Sequence, residues 1–123
     1  MIIGHGVDLV EHESFSLLVA KEDAFLKRCF TTDEIEQARA TAESLQWFAS
    51  RFAAKEAVMK ALGTGWTQGI SWHEIKVVSE SGGRPVIALS GRAQEIASNQ
   101  GITRFIVSLS HAKHASIASV IAI

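Results

Sequence analysis

The chain has 123 residues, of which 47% are apolar and 20% charged, and its formal net charge is −1. That is the size and balance of one globular domain able to bury a core without disulfides, and it excludes a disordered chain. The near-neutral charge leaves no global field for nucleic acid or an anionic membrane, and no uncharged apolar run approaches the ~18 residues of a membrane span.

The N-terminus, MIIGHGVD, lacks the basic lead and apolar core of a secretion signal, and the single cysteine, Cys29, has no internal disulfide partner. The expected location is therefore the cytoplasm, with Cys29 as a packing residue. Ile2 to Val10 is rich in Ile and Val and reads as a buried strand. Helical spacing follows from Glu11 to about Phe30, with an interruption expected near Lys21–Asp23. The segment TTDEIEQAR opens another helix, since Thr31 and Glu34 have capping-box spacing and Asp33 and Glu34 suit a positive helix end. The longest helix is expected from about Ser44 to Leu62, stopped by Gly63, with GTGWTQG as the loop beyond it. HEIKVVSESGGRPVIALSG reads as strand, glycine-rich turn and strand, with Pro85 at the start of the second strand. SGRAQEIASNQG is a short helix, capped by Ser90 and closed by Gly101. RFIVSLSHAKHASIASVIAI gives two more strands around His111–His114. Strands joined by tight turns pair antiparallel, so the fold class is α+β: residues 1–123 form one domain, an antiparallel sheet packed on a long central helix.

The long helix carries Arg51, Lys55, Glu56 and Lys60 among small and apolar residues. A helix apolar nearly all round is buried or closely wrapped, so four charges on it need partners. Glu56 and Lys60, four apart, share one edge; Arg51 and Lys55, also four apart, are two cations that repel unless something negative lies between them. Asp8 stands in the apolar strand GVDLV, where a lone carboxylate must be paired or bound to a metal. One reading pairs it with a helix cation. The other takes Asp8 and Glu56 as ligands of a hard cation: two carboxylates without a thiolate cluster favour Mg²⁺ over zinc, and His111 and His114 stand outside any HExxH pattern. The GTG turn permits close approach of a ligand to the backbone, but it follows a helix rather than preceding one and is no Walker A loop. A phosphate beside a helix C-terminus needs cations, which Lys60 and a metal supply.

IIGHGVDLVE, FTTDE, RFAAKEAVMKALGTG, GGRP and VSLSHAKH resemble, in order and spacing, the motifs of holo-acyl-carrier-protein synthases, the short homotrimeric phosphopantetheinyl transferases. The resemblance spans Met1 to Ile123. It implies the family's fold, and transfer of 4′-phosphopantetheine from coenzyme A to a serine of apo acyl carrier protein, releasing adenosine 3′,5′-bisphosphate. By matching motifs, Asp8 and Glu56 are the implied Mg²⁺ ligands and Lys60 the group that contacts the pyrophosphate. Arg51, Lys55, Gly63, Gly65, Pro85 and His111 lie in motifs that contact coenzyme A or shape its site, and each site lies between neighbouring subunits. Ser14 stands where the family often has arginine, at a position associated with carrier docking. On a continuous helix Ser14, Leu18, Lys21, Phe25 and Arg28 form one stripe, which reads either as a core edge of Leu18 and Phe25 with two solvated cations beside it or as cations mixed with apolar anchors, suited to an acidic amphipathic carrier helix. A Mg²⁺-dependent nucleotide pyrophosphohydrolase and an inactive coenzyme A-binding module are the competing readings of the same residues.

Overall fold

The computed structural model describes residues 1–22 and 24–123. Strand β1 (Gly4–Glu11) leads into helices α1 (His12–Lys21), α2 (Phe25–Cys29), α3 (Thr32–Arg39) and the long α4 (Ser44–Leu62). A 3₁₀ turn (Trp72–Glu74), hairpin β2 (Ile75–Ser79) and β3 (Pro85–Leu89), helix α5 (Gly91–Asn99) and strands β4 (Phe105–His111) and β5 (Ala115–Ala122) complete it. The element order is the expected α+β order. The strands, however, divide into two antiparallel sheets, β1-β5-β4 and β2-β3, instead of one. Strand β3 comes alongside β4 without joining its ladder, and a cavity of about 630 Å³, lined by Arg84, Pro85, Ile87, Arg104 and Phe105 among others, opens between them.

Alternation along β1 sets the packing. Gly4, Gly6, Asp8 and Val10 share one face, and on it Gly6 and Val10 are buried. Helix α4 lies against this face at a distance only glycine allows. A Cβ on Gly4 would overlap the Ala61 carbonyl, and one on Gly6 the Ala57 carbonyl. The helix answers with small side chains, Ala53, Ala57 and Ala61, all buried. Its other flank meets aromatics: Phe15, Phe25 and Phe52 pack with ring centroids 5.4–5.8 Å apart, and Phe30 lies 5.0 Å from Phe48.

Helix ends follow the local signals in most places. The Thr31 hydroxyl accepts from the Glu34 N–H while the Glu34 carboxylate accepts from the Thr31 N–H, a reciprocal cap. Gly63 closes α4 in the left-handed region at φ 75°. The chain leaves α1 at Glu22 in extended conformation; of the interruption expected at Lys21–Asp23, Asp23 lies outside the described residues. Ser90 is a correction. It occupies the N-cap position of α5, but its side chain makes no capping bond. Glu74, from the 3₁₀ turn, supplies the cap: its carboxylate accepts from the N–H groups of Arg92 at 3.0 Å and Ala93 at 3.4 Å.

Candidate active site

The seam between β1 and α4 brings Asp8, Glu56 and Lys60 together. The Lys60 Nζ donates to the Val7 carbonyl at 2.9 Å and to Asp8 Oδ1 at 3.0 Å. The pair is only partly shielded, with Lys60 53% and Asp8 17% exposed, so it contributes little to stability and acts mainly to orient. Asp8 and Glu56 line one cavity of about 390 Å³, with Glu11, Ser14, Leu18 and Phe52 among its other walls. Burial raises the Glu56 carboxyl above its ordinary range; the Trp66 indole opposes this, the Asp8 charge adds to it, and Lys60 opposes it. Two carboxylates thus face one half-buried space, and the Asp8 charge adds to the cost of ionising Glu56, a cost that a cation between them would relieve. All-oxygen donors suit Mg²⁺, which is held by one or two carboxylates and completes its shell with water and phosphate. Among the described residues no group of three or more His, Cys, Asp and Glu side chains is arranged around a metal position. Two carboxylates alone would leave most of the coordination shell of such a cation to water or phosphate.

Of the cations Arg51 and Lys55, Lys55 finds a negative partner inside the protein. Glu34, from α3, lies 3.2 Å from the Lys55 Nζ. Lys55 has no exposed surface, and its ammonium donates to Glu34, to the Trp72 carbonyl at 3.0 Å and to the Ile75 carbonyl at 2.6 Å. An ammonium has three donors, and all three are used. Burial pushes the Lys55 amine below its ordinary value, with Glu34 pulling the other way. Of the two roles expected of its motif, contact with coenzyme A or shaping of its site, this geometry bears on the second: Lys55 ties α3 and the 3₁₀ turn to α4. Arg51 lies with its guanidinium carbon 4.5 Å from the Trp47 ring centre, and its Nε is buried without a hydrogen-bond partner among the described residues.

The glycines of the loop after α4 serve the backbone first. Gly63 and Gly65 both have positive φ, 75° and 59°, and open space lies where a Cβ would stand. Pro85 opens β3 on the second cavity, which contains none of Asp8, Glu56 and Lys60, and His111 is exposed at the end of β4. One protomer does not bring these two to the carboxylates.

The expected docking stripe is also corrected. It presumed a continuous helix, but α1 ends at Lys21 and α2 begins at Phe25. Phe25 is 4% exposed and belongs to the aromatic core, and Arg28 is held by Glu22 at 2.8 Å. Ser14 and Leu18 are exposed, on the wall of the Asp8–Glu56 cavity, and Lys21 is exposed at the end of the same helix.

Two features have no counterpart in the reading of the sequence. Trp66, in the GTG loop, donates from Nε1 to Glu56 Oε1 at 3.2 Å. His12, Ser50 and Ser116 form a polar chain inside the fold, with the His12 Nε2 2.8 Å from the Ser116 hydroxyl and Ser50 donating to that hydroxyl at 3.2 Å. Neither has a periodic signal, because each joins residues distant in sequence.

An α+β fold with facing acids, a lysine and a glycine-rich loop at the end of a buried helix has the groups that a phosphoryl-group-transfer protein uses. Residues 4–115 match the 4′-phosphopantetheinyl transferase superfamily, and the chain belongs to it. A holo-(acyl-carrier-protein) synthase of Koribacter versatilis is 42% identical over 122 residues, covering 98% of both chains. The crystal structure of the holo-(acyl-carrier-protein) synthase of Neisseria meningitidis superposes with a TM-score of 0.91 at 33% identity, covering 100% of this chain and 99% of that one. That of Helicobacter pylori, in complex with coenzyme A, gives 0.82 at 28% identity over 97% and 99%. The family resemblance carried by the motifs is thereby confirmed over the whole chain, and the fold with it. No helix among the described residues is long and apolar enough to cross a membrane.

Proposed function

We propose that this chain is a cytoplasmic holo-acyl-carrier-protein synthase that moves 4′-phosphopantetheine from coenzyme A to a serine hydroxyl of apo acyl carrier protein. The observation that carries the reading is the Asp8, Glu56 and Lys60 cluster beside the glycine-rich loop. In the reaction the serine oxygen bonds to the phosphorus on the pantetheine side. The bridging P–O bond breaks, and adenosine 3′,5′-bisphosphate leaves with the electron pair. The protein's task is alignment and charge neutralisation more than covalent chemistry. Lys60, steadied by Asp8 and the Val7 carbonyl, faces the departing phosphate. Glu56, whose carboxyl burial raises, is the candidate acceptor of the serine proton. Asp8 and Glu56 would hold Mg²⁺, which when bound neutralises pyrophosphate charge.

Three copies complete the site in this reading. The face of the β1-β5-β4 sheet opposite α4 exposes Val7, Leu9, Ile106 and Ile117, an apolar surface suited to burial between subunits. A neighbouring subunit would bring the Pro85 and His111 motifs to the carboxylates, which one protomer leaves apart. The docking surface for an acidic carrier narrows to Ser14, Leu18 and Lys21, with Arg28 behind its Glu22 partner and Phe25 withdrawn.

The test is mass spectrometry of apo acyl carrier protein incubated with this protein, coenzyme A and Mg²⁺. The expected result is a carrier heavier by one phosphopantetheine. Coenzyme A cleaved without a modified carrier would instead mark a pyrophosphohydrolase, and coenzyme A bound but intact a binding module.

A further inference from the structure

Among the groups that touch the carboxylate pair, Trp66 comes from outside both β1 and α4. It sits on the loop between α4 and the 3₁₀ turn, a segment with little regular structure to fix it. Its ring is fixed nonetheless. Trp66 stacks on Trp72 with centroids 3.7 Å apart and planes 25° from parallel. Trp72 in turn stacks on Phe52 at 5.0 Å and 16°, and Phe52 packs against Phe15 and Phe25 in the core. Trp72 is itself pinned at the backbone, where its carbonyl accepts from the buried Lys55 ammonium at 3.0 Å. The column of three rings thus runs from the core to the loop and ends in one hydrogen bond, from the indole Nε1 to Glu56 Oε1 at 3.2 Å.

Packing alone asks only for a flat ring at position 66, which phenylalanine also offers. The indole adds a donor, and that donor is spent on the carboxylate that lines the cavity with Asp8. An N–H held by a rigid stack fixes one oxygen of Glu56 and so fixes how the other is presented. We propose that Trp66 is a positioning residue for Glu56, orienting its carboxylate toward the cation and the acceptor serine. This rests on the transferase reading given above. Partners of this kind, behind the residues that hold a metal, typically change metal affinity or activity by about 10–100-fold when removed.

Trp66→Phe keeps the stack and deletes the donor, so it separates the two roles. It should lower kcat by about tenfold or more and raise the Mg²⁺ concentration giving half-maximal rate, leaving the KM for coenzyme A and the melting temperature close to those of the parent. A purely structural Trp66 would shift the melting temperature and spare the Mg²⁺ dependence, and that result overturns the proposal. Proton–nitrogen NMR of the indoles tests the contact without turnover. The Trp66 Nε1–H, assigned as the resonance missing in Trp66→Phe, should exchange slowly with solvent, and Glu56→Ala should shift it and speed its exchange. An unchanged resonance in Glu56→Ala overturns the proposal even if the enzyme is active. A wild-type protein that modifies no carrier overturns the transferase reading and the catalytic part of this one, and the NMR result then judges the contact alone.

Discussion

Replacing Lys55 by Met should be among the most damaging single changes in this protein. The ammonium has no exposed surface, and its loss strands the nearly fully buried Glu34 carboxylate together with the carbonyls of Trp72 and Ile75. Removing one partner of a buried ion pair costs about 3–5 kcal/mol, chiefly because the other charge stays in a low-dielectric place without compensation. For a chain of 123 residues the unfolding entropy is about 0.26 kcal/mol/K, so the melting temperature should fall by about 12–19 °C. Differential scanning calorimetry reads this directly. Glu34→Gln added to Lys55→Met should recover more than half of the loss. Glutamine at that position still reaches the Thr31 N–H as the second half of the cap, but carries no charge to strand. A Lys55→Met protein melting within about 4 °C of the parent would refute the reasoning, since that is only about 1 kcal/mol. So would a double variant no more stable than the single one, because the stranded carboxylate would then not be the cause.

Asp8→Ala and Glu56→Ala should each lower transfer to the carrier by about 10²-fold or more at unchanged fold, and either variant at near-parental turnover in saturating Mg²⁺ rules out a shared cation. Lys60→Met should lower kcat more than it raises the KM for coenzyme A; the reverse split makes Lys60 a ground-state binder. Gly6→Ala places a Cβ against the Ala57 carbonyl and should cost about 1–3 kcal/mol, seen as a lower urea midpoint at constant slope; an unchanged midpoint means the seam yields. Burial pushes the Cys29 thiol up to about 11. A thiol reagent at pH 8 should therefore label the unfolded chain and spare the folded one, and rapid native labelling contradicts the burial. The folded chain retains that proton above the ordinary thiol range, so the thiol's share of stability is full below that range and declines as pH rises toward 11.

Local signals located the elements well because their causes are local. The Thr31–Glu34 box, Gly63 beyond Leu62 and the alternation in β1 each act within a few residues, and the structure has them where the spacing puts them. Asp8 and Glu56 were legible for a different reason: a carboxylate in an apolar strand or on a buried helix is anomalous without a partner. What the sequence hid was which partner each charge takes. Glu34 looked complete as a cap, yet it also neutralises Lys55, 21 positions away. The single stripe from Ser14 to Arg28 set aside the interruption expected near Lys21–Asp23; α1 does end at Lys21, and Phe25, which opens α2, is buried in the core. Trp66 and Glu56 meet only because a loop folds back over the end of α4, a path that no periodicity describes.

The cap that Glu74 lends to α5 ties the inheritance of two positions together. Its carboxylate occupies the space where a side chain on residue 91 would begin, and Gly91 takes φ 55° there. Burial alone would raise the Glu74 carboxyl, but the N–H groups of Ser71, Arg92 and Ala93 more than reverse this and hold it ionised. A shorter residue at 74 would leave the first turn of α5 uncapped, and a larger one at 91 would expel the acid that caps it. Either step alone costs stability, about 0.5–2 kcal/mol for a lost cap, although the two positions lie in different elements. Homologues should therefore tend to change them as a pair, and a chimera that takes the 3₁₀ turn from one relative and α5 from another should melt lower wherever the pair is split.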